Sequence, residues 1–341
     1  MLKRKNVIAG IDLGGTSMQV VIADNRNNIL AEAKALTRRG KKPQEIVTDI
    51  AAAVVEALTG AGLNRSDLAA ACIGAPGPVD RERGIVHEAP NLGWYEFPLG
   101  PLLAKRLRVP VMLENDVNAG TVGEHTLGAG AEATNLVGVF VGTGIGGGLI
   151  VNGKLYEGSH GGAGEVGHML IVVDGPLCGC GHRGCVEAVA SRTAMERDVR
   201  AAIKSGRESA VLELMKRKNK TRMTSSVISA ALKRNDPVMQ EVMDRAQRYL
   251  GILVANLVNL LDPECVVIGG GLAGRLGEQY VGPIREYAHE HFFREKDVKR
   301  VRLVAGKLGD NAGALGNVVI ARRRLRQERV ARIARREGPA H

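Results

Sequence analysis

The chain has 341 residues, 45% hydrophobic and 24% charged, which excludes a disordered polymer and leaves room for two domains or one large lobed one. Its formal charge of +11 sits at the ends: residues 321–341 hold eight Arg against two Glu, Lys3, Arg4 and Lys5 add three, and +2 remains for residues 6–320. With only 3% aromatic residues, this distribution argues against a specific nucleic-acid surface built on base stacking.

The N-terminal apolar run Val7 to Leu13 is interrupted by Asp12 and followed by two glycines, so no signal peptide is expected. Strands are predicted over 6–13, 18–23 and 29–36, a meander with the turn "DNRNN" between the second and third. Ile46, Ile50, Val54 and Leu58 then recur every four residues behind Pro43, the pattern of a helix that "GAGLN" closes. "LAAACIGAPGPVD" reads as a strand running into a Gly/Pro loop. "VPVMLEND" is another strand, and it ends in Glu114, Asn115, Asp116 and Asn118. Those four residues suit either a helix cap or a reactive carboxylate at a strand end.

A helix follows to about Leu127, and "VFVGTGIGGGLIVNG" then repeats the strand, glycine turn and returning strand of "AGIDLGGTSMQVVIAD", which points to a duplicated unit. Asp236 with Pro237 opens a further helix, whose most apolar part, Tyr249 to Leu261, is too short to span a bilayer. "PECVVIGGGLAG" is one more strand, glycine turn and helix start. The pattern sets an N-terminal lobe over 1–120 and a larger lobe over 121–310. A terminal helix, about 311–330, is expected to return to the first lobe, and the basic tail 331–341 to be disordered.

Three glycine turns therefore follow three apolar strands: Gly14, Gly15 and Thr16 behind Asp12; Gly142, Thr143 and Gly144; and Gly269, Gly270 and Gly271. Successive backbone N–H groups at such turns make anion-binding nests. None fits GxxxxGK[ST], and the second continues as a strand rather than a helix. Three of the five cysteines lie within eight residues; Cys178, Cys180 and Cys185, with His168 upstream, make a Cys3His set suited to a closed tetrahedral zinc. His182 competes as a ligand, and Cys72 and Cys265 read as core residues. Reduced cysteines of this kind point to the cytoplasm.

The order DxGGT, GTGxGGG hairpin and strand ending in GGG resembles the phosphate-1, phosphate-2 and adenosine segments of the actin, hexokinase and sugar-kinase superfamily. More narrowly, from about Val7 to about Asn317, the chain resembles the ROK family of bacterial glucokinases, related sugar kinases and sugar-responsive repressors. The resemblance implies an α/β, two-lobed actin-like ATPase (ribonuclease H-like) fold with mixed sheets and a structural zinc loop over 168–185. It implies ATP as phosphoryl donor and Asp116, in E-N-D-x-N, as the base that deprotonates a hexose hydroxyl between the lobes. Sugar hydroxyls are then expected at Gly77, Asn91, Asn115, Glu165, His168 and Glu187. Nucleotide is expected at Asp12, Gly14, Gly15, Thr16, Thr143, Gly144, Gly270 and Gly271, with Mg2+ near Asp12, where a bare carboxylate would repel phosphate.

Where many members have Lys after DxGGT, this chain has Ser17, which removes a positive charge but not the nest. Glucose is the expected acceptor; N-acetylmannosamine, N-acetylglucosamine, mannose and fructose are the alternatives, and polyphosphate is an alternative donor. A homodimer is implied by the resemblance alone. A sugar-sensing regulator is the competing function, but only eleven residues precede Asp12, too few for the helix-turn-helix such a regulator needs.

Overall fold

The computed structural model describes residues 6–37, 40 and 42–337. Thirteen strands form three sheets among these residues. Strands β1 (Val7–Leu13), β2 (Ser17–Ala23) and β3 (Ile29–Leu36) make the expected meander, and helix α1 (Pro43–Gly60) follows. Next come β4 (Leu68–Ala75), the short strands β5 (Val79–Asp80), β6 (Ile85–Ala89) and β7 (Trp94–Phe97), helix α2 (Leu99–Leu107), β8 (Val111–Asn115) and α3 (Asp116–Leu127). The second half opens with β9 (Leu136–Val141), β10 (Ile145–Val151) and β11 (Lys154–Tyr156). It continues through α4 (Val186–Ala190), α5 (Arg192–Lys204), α6 (Val211–Arg217), α7 (Ser225–Leu232) and α8 (Pro237–Leu261). It closes with β12 (Cys265–Gly269), α9 (Gly271–Leu276), α10 (Glu278–His289), β13 (Arg302–Ala305) and α11 (Ala312–Glu337).

The duplication legible in the sequence is carried by topology. One sheet has the order β3-β2-β1-β4-β8 and another β11-β10-β9-β12-β13. In each, an antiparallel meander is extended by two parallel strands on the far side of its first strand.

The chain divides into two compact units, residues 1–126 with 311–341 and residues 127–310. The boundary lies at the end of α3 rather than near 120, because α3 is one continuous helix whose residues Asn118 to Glu124 are buried. In the first unit β1 alternates between two helical layers, as a period of two requires. Val7, Ala9, Ile11 and Leu13 join Ile46, Ile50 and Val54 of α1 in one apolar core. Gly10 faces the other way, where a Cβ would run into the Ala314 carbonyl of α11. Gly316 makes the same close approach to Ala119 of α3. Asn317 of α11, fully buried, donates to the Ile11 carbonyl at 2.8 Å and accepts from the Cys72 thiol at 3.1 Å.

Helix α11 extends past the point where the tail was expected to become disordered. It continues to Glu337, because residues 317–337 are rich in Ala and Arg and contain no Gly or Pro. Residues 338–341, and Lys3, Arg4 and Lys5, lie outside the described residues. In the second unit α8 is capped as its sequence suggests, Asp236 accepting from the Met239 N–H at 2.8 Å. Its buried stripe joins β9, β12 and α10 in a second core. No described helix is long and apolar enough to cross a membrane.

Candidate active site and metal centre

In the first unit the three parallel strands β1, β4 and β8 end on one edge, with Asp12 beside Gly74 and Ala75 beside Asn115. Ligands of open α/β sheets bind at such carboxyl ends. The "END" motif resolves into three separate tasks there. Glu114, 2% exposed, points inward, where Arg81 donates to its Oε1 from Nε at 2.8 Å and from the guanidinium terminus at 2.7 Å. Asn115 is the helix cap: its Oδ1 accepts from the Val117 N–H at 3.0 Å and the Asn118 N–H at 3.1 Å. Its amide nitrogen donates to the Gly77 carbonyl at 3.2 Å. Asp116 is the first residue of α3, half-buried, with Oδ1 accepting from the Val117 N–H at 3.0 Å. The capping that the motif could have served is met by Asn115, and the carboxylate of Asp116 stays at the strand edge.

Gly77 has a φ of 85° and no room for a side chain, since a Cβ would strike the Glu88 carbonyl. Its loop is thus held by Asn115 on one side and β6 on the other. Asn91, exposed in the turn 90–92, approaches the first glycine turn, with its Cβ 3.6 Å from where a Cβ on Gly15 would lie. That turn is closed by the Gly14 N–H donating to the Ser17 carbonyl at 3.0 Å. The Asp12 carboxylate lies against Gly313 at the start of α11, where a Cβ would meet its Oδ2 at 2.5 Å. The first unit therefore groups Asp12, Gly14, Gly15, Asn91, Gly77, Asn115 and Asp116 at one sheet edge.

In the second unit β9 and β12 are parallel neighbours, so the other two glycine turns are also adjacent. Gly270 has a φ of 93° and backs onto the Val141 carbonyl. Gly271 begins α9. Thr143 is exposed at the tip of the β9–β10 turn, which is braced at three points by the segment that follows the cysteines. Glu187 Oε2 accepts from the Ile145 N–H at 2.9 Å, the Arg192 N–H donates to the Gly142 carbonyl at 3.1 Å, and the Thr193 hydroxyl donates to the Thr143 carbonyl at 2.7 Å.

The ligand atoms of His168, Cys178, Cys180 and Cys185 all lie within 4.8 Å of one another. Cys180 and Cys185 sulfurs are 3.7 Å apart, as are the Cys178 sulfur and His168 Nδ1. A tetrahedron with zinc–sulfur bonds of about 2.3 Å has edges of about 3.8 Å, so the spacing fits zinc and leaves no open position. His182 Nδ1 lies 3.6 Å from the Cys180 sulfur and belongs to a hydrogen bond rather than to the set. Its backbone N–H and ring hold the Cys180 thiol down to about 6, while burial pushes Cys178 up to about 12. His168 turns Nδ1 toward the cysteines and Nε2 toward Glu165, whose Oε2 is 4.0 Å away. Glu187 touches both centres, because its Oε1 accepts from the Cys178 thiol at 3.7 Å. Cys72 and Cys265 are buried core residues.

Sequence reasoning did not find Arg81, Arg192 or Thr193. No local pattern marks them: Arg81 meets a carboxylate 33 residues away, and Thr193 meets a carbonyl 50 residues away.

Two sheets of one topology, each with glycine turns at the carboxyl ends of its parallel strands, define the actin-like ATPase fold. The chain belongs to the ROK family, whose model, described as "ROK family", matches residues 8–324. It is 35% identical over 319 residues to a glucokinase of Thermotoga maritima, covering 93% of this chain and 98% of that protein. A ROK family glucokinase from Streptomyces griseus, solved in complex with glucose and AMPPNP, superposes with a TM-score of 0.82 at 34% identity, covering 93% of this chain and all of that one. A putative xylose repressor of Caldicellulosiruptor sp. is 34% identical over 319 residues, covering 93% of this chain and 78% of that protein.

Proposed function

We propose that this chain is an ATP-dependent hexokinase that phosphorylates the 6-hydroxyl of glucose, with Asp116 as general base. The observation that carries this reading is the division of labour in the "END" motif: Asn115 supplies the cap and Glu114 the internal ion pair, which leaves Asp116 as the carboxylate of the motif at the edge where ligands bind. Phosphoryl transfer asks little covalent chemistry of a protein beyond a base, positioning and charge neutralisation. Asp116 accepts the proton as the hydroxyl oxygen attacks the γ-phosphorus and the bond to the bridging oxygen of ADP breaks. Gly77, Asn91, Asn115, Glu165, His168 and Glu187 are proposed as the sugar-binding residues.

The nucleotide is assigned to the turns at Gly14, Gly15 and Thr16, at Thr143 and Gly144, and at Gly270 and Gly271. Asp12 would hold Mg2+, which supplies charge neutralisation on the phosphates. His168 and the three cysteines would hold zinc, whose part is to fix the loop that carries Glu165, His168 and Glu187.

The test is a coupled ADP-release assay on zinc-replete protein across glucose, mannose, fructose, N-acetylglucosamine and N-acetylmannosamine, with Asp116→Asn beside it. Glucose is expected to give the highest kcat/KM. The substitution is expected to lower kcat by about 10²–10⁴-fold while glucose still binds. Sugar binding with no turnover on any of the five would overturn the enzyme and favour a sensor, as the repressor relatives suggest; a different rank order would reassign the substrate.

A further inference from the structure

We propose that Arg192 is a nucleotide-binding residue, its guanidinium holding the phosphate chain of ATP between the two glycine turns of the second unit. The inference rests on the kinase reading above and assigns a residue that none of the glycine motifs contains.

Arg192 is bonded to one turn and reaches the other. Its backbone N–H donates to the Gly142 carbonyl at 3.1 Å, and Thr193 beside it secures Thr143. Its side chain runs to the start of α9, where Nη1 donates to the Ser225 hydroxyl at 3.3 Å and lies 3.8 Å from the place a Cβ on Gly271 would occupy. The Nε–H is buried and has no hydrogen-bond partner among the described residues. A guanidinium carries five donors in a planar fork, and among the described residues Ser225 is the acceptor that serves them.

The charge is also poorly matched by the protein. Glu196, the acid one turn along α5, already accepts from Arg200, Arg222 and the Met223 N–H. Burial works against the charged form of Arg192 and the nearby Arg222 adds to that effect, with Asp310 and Glu196 opposing them. None of the residues assigned to the nucleotide by motif is cationic, and Ser17 stands where a Lys could have been. Backbone N–H groups solvate a phosphate chain but do not neutralise it. A half-buried guanidinium with open donors at the junction of two such turns matches a phosphate by both charge and fork geometry.

The experiment is isothermal titration of zinc-replete wild type, R192Q and R192K with Mg-ADP and with adenosine, with zinc content and melting temperature measured on each. R192Q is expected to weaken ADP roughly tenfold or more and to leave adenosine within about twofold, at unchanged zinc content. R192K, which keeps the charge and the stem but not the fork, is expected to retain part of the ADP affinity, and it serves if R192Q does not fold. Unchanged ADP affinity in the folded variants overturns the assignment. An equal loss for adenosine overturns the phosphate contact in favour of the nucleoside. Wild type that fails to bind ADP would instead remove the kinase reading itself, so the two failures are distinguishable.

Discussion

Glu114 and Asp116 are two carboxylates two residues apart with opposite fates, and the end of β8 decides it: Glu114 still belongs to the strand and is buried, whereas Asp116 opens α3, where the strand's alternation no longer applies, and lies at the sheet edge. The inward one depends on Arg81, and both side chains are nearly inaccessible, at 11% and 3% exposure. Removing one partner of a buried ion pair leaves an uncompensated charge. Arg81→Ala is therefore expected to destabilise the first unit by about 3 kcal/mol in a denaturant titration, and Arg81→Ala with Glu114→Gln to recover part of that loss. A double variant no more stable than the single one would show that the ion pair is not what Arg81 contributes. The strand's alternation was enough to turn Glu114 away from Asn115, but the identity of its partner was not legible, because contact between β5 and β8 is set by chain folding and not by spacing.

At the scale of elements, α5 shows how a helix can carry both stability and site geometry. Its N-terminus braces the β9–β10 turn, and one turn later Glu196 gathers Arg200, Arg222 and a backbone N–H. Burial opposes the ionisation of Glu196, but those donors outweigh it and hold its carboxyl below the usual range. A depressed folded-state pKa gives stability that is present above the unfolded value and is lost as pH falls through the folded one. Glu196→Gln is accordingly expected to lower stability at pH 7, with the gap to wild type closing as acid titrates the carboxylate; a pH-independent gap in urea midpoints would contradict this.

The segment 168–185 has little regular structure, and Leu170, Val173 and Leu177 are exposed at 62–79%; on the zinc reading proposed above, metal ligation supplies much of its order. Chelation or Cys185→Ser is expected to bring zinc from about one per chain to near zero by mass spectrometry and to expose the 168–185 segment to protease. Retained zinc in the Cys185→Ser protein would exclude this ligand set. That these four residues cluster was legible from residue type and spacing, since three of them sit in one short loop. The link from Cys178 through Glu187 to the β9–β10 turn was not, because it spans segments more than forty residues apart.

For the whole molecule, the salient feature is that the first unit is assembled from both ends of the sequence. Helix α11 covers β1 and β4, and its Asn317 supplies a buried polar anchor to β1. A chain ending at Asp310 is expected to lose amide-exchange protection in β1 and β4 while β9 and β12 keep theirs; full protection in β1 would show that α11 is dispensable.

The sequence by itself determined the local devices: the meanders, the glycine turns, the helix starts at Pro43 and Pro237, the Cys3His cluster and the strand that leads into Asp116. Each of these rests on backbone conformation or on donors close together in the chain, which short patterns encode directly. Only the tertiary structure decided that Asn115 rather than Asp116 is the cap, that Arg81 neutralises Glu114, that α3 belongs to the first unit as far as Thr126, and that Arg192 lies between two glycine turns. Those outcomes depend on which distant surfaces meet, and a contact between residues tens of positions apart leaves no periodicity or spacing in one sequence to announce it.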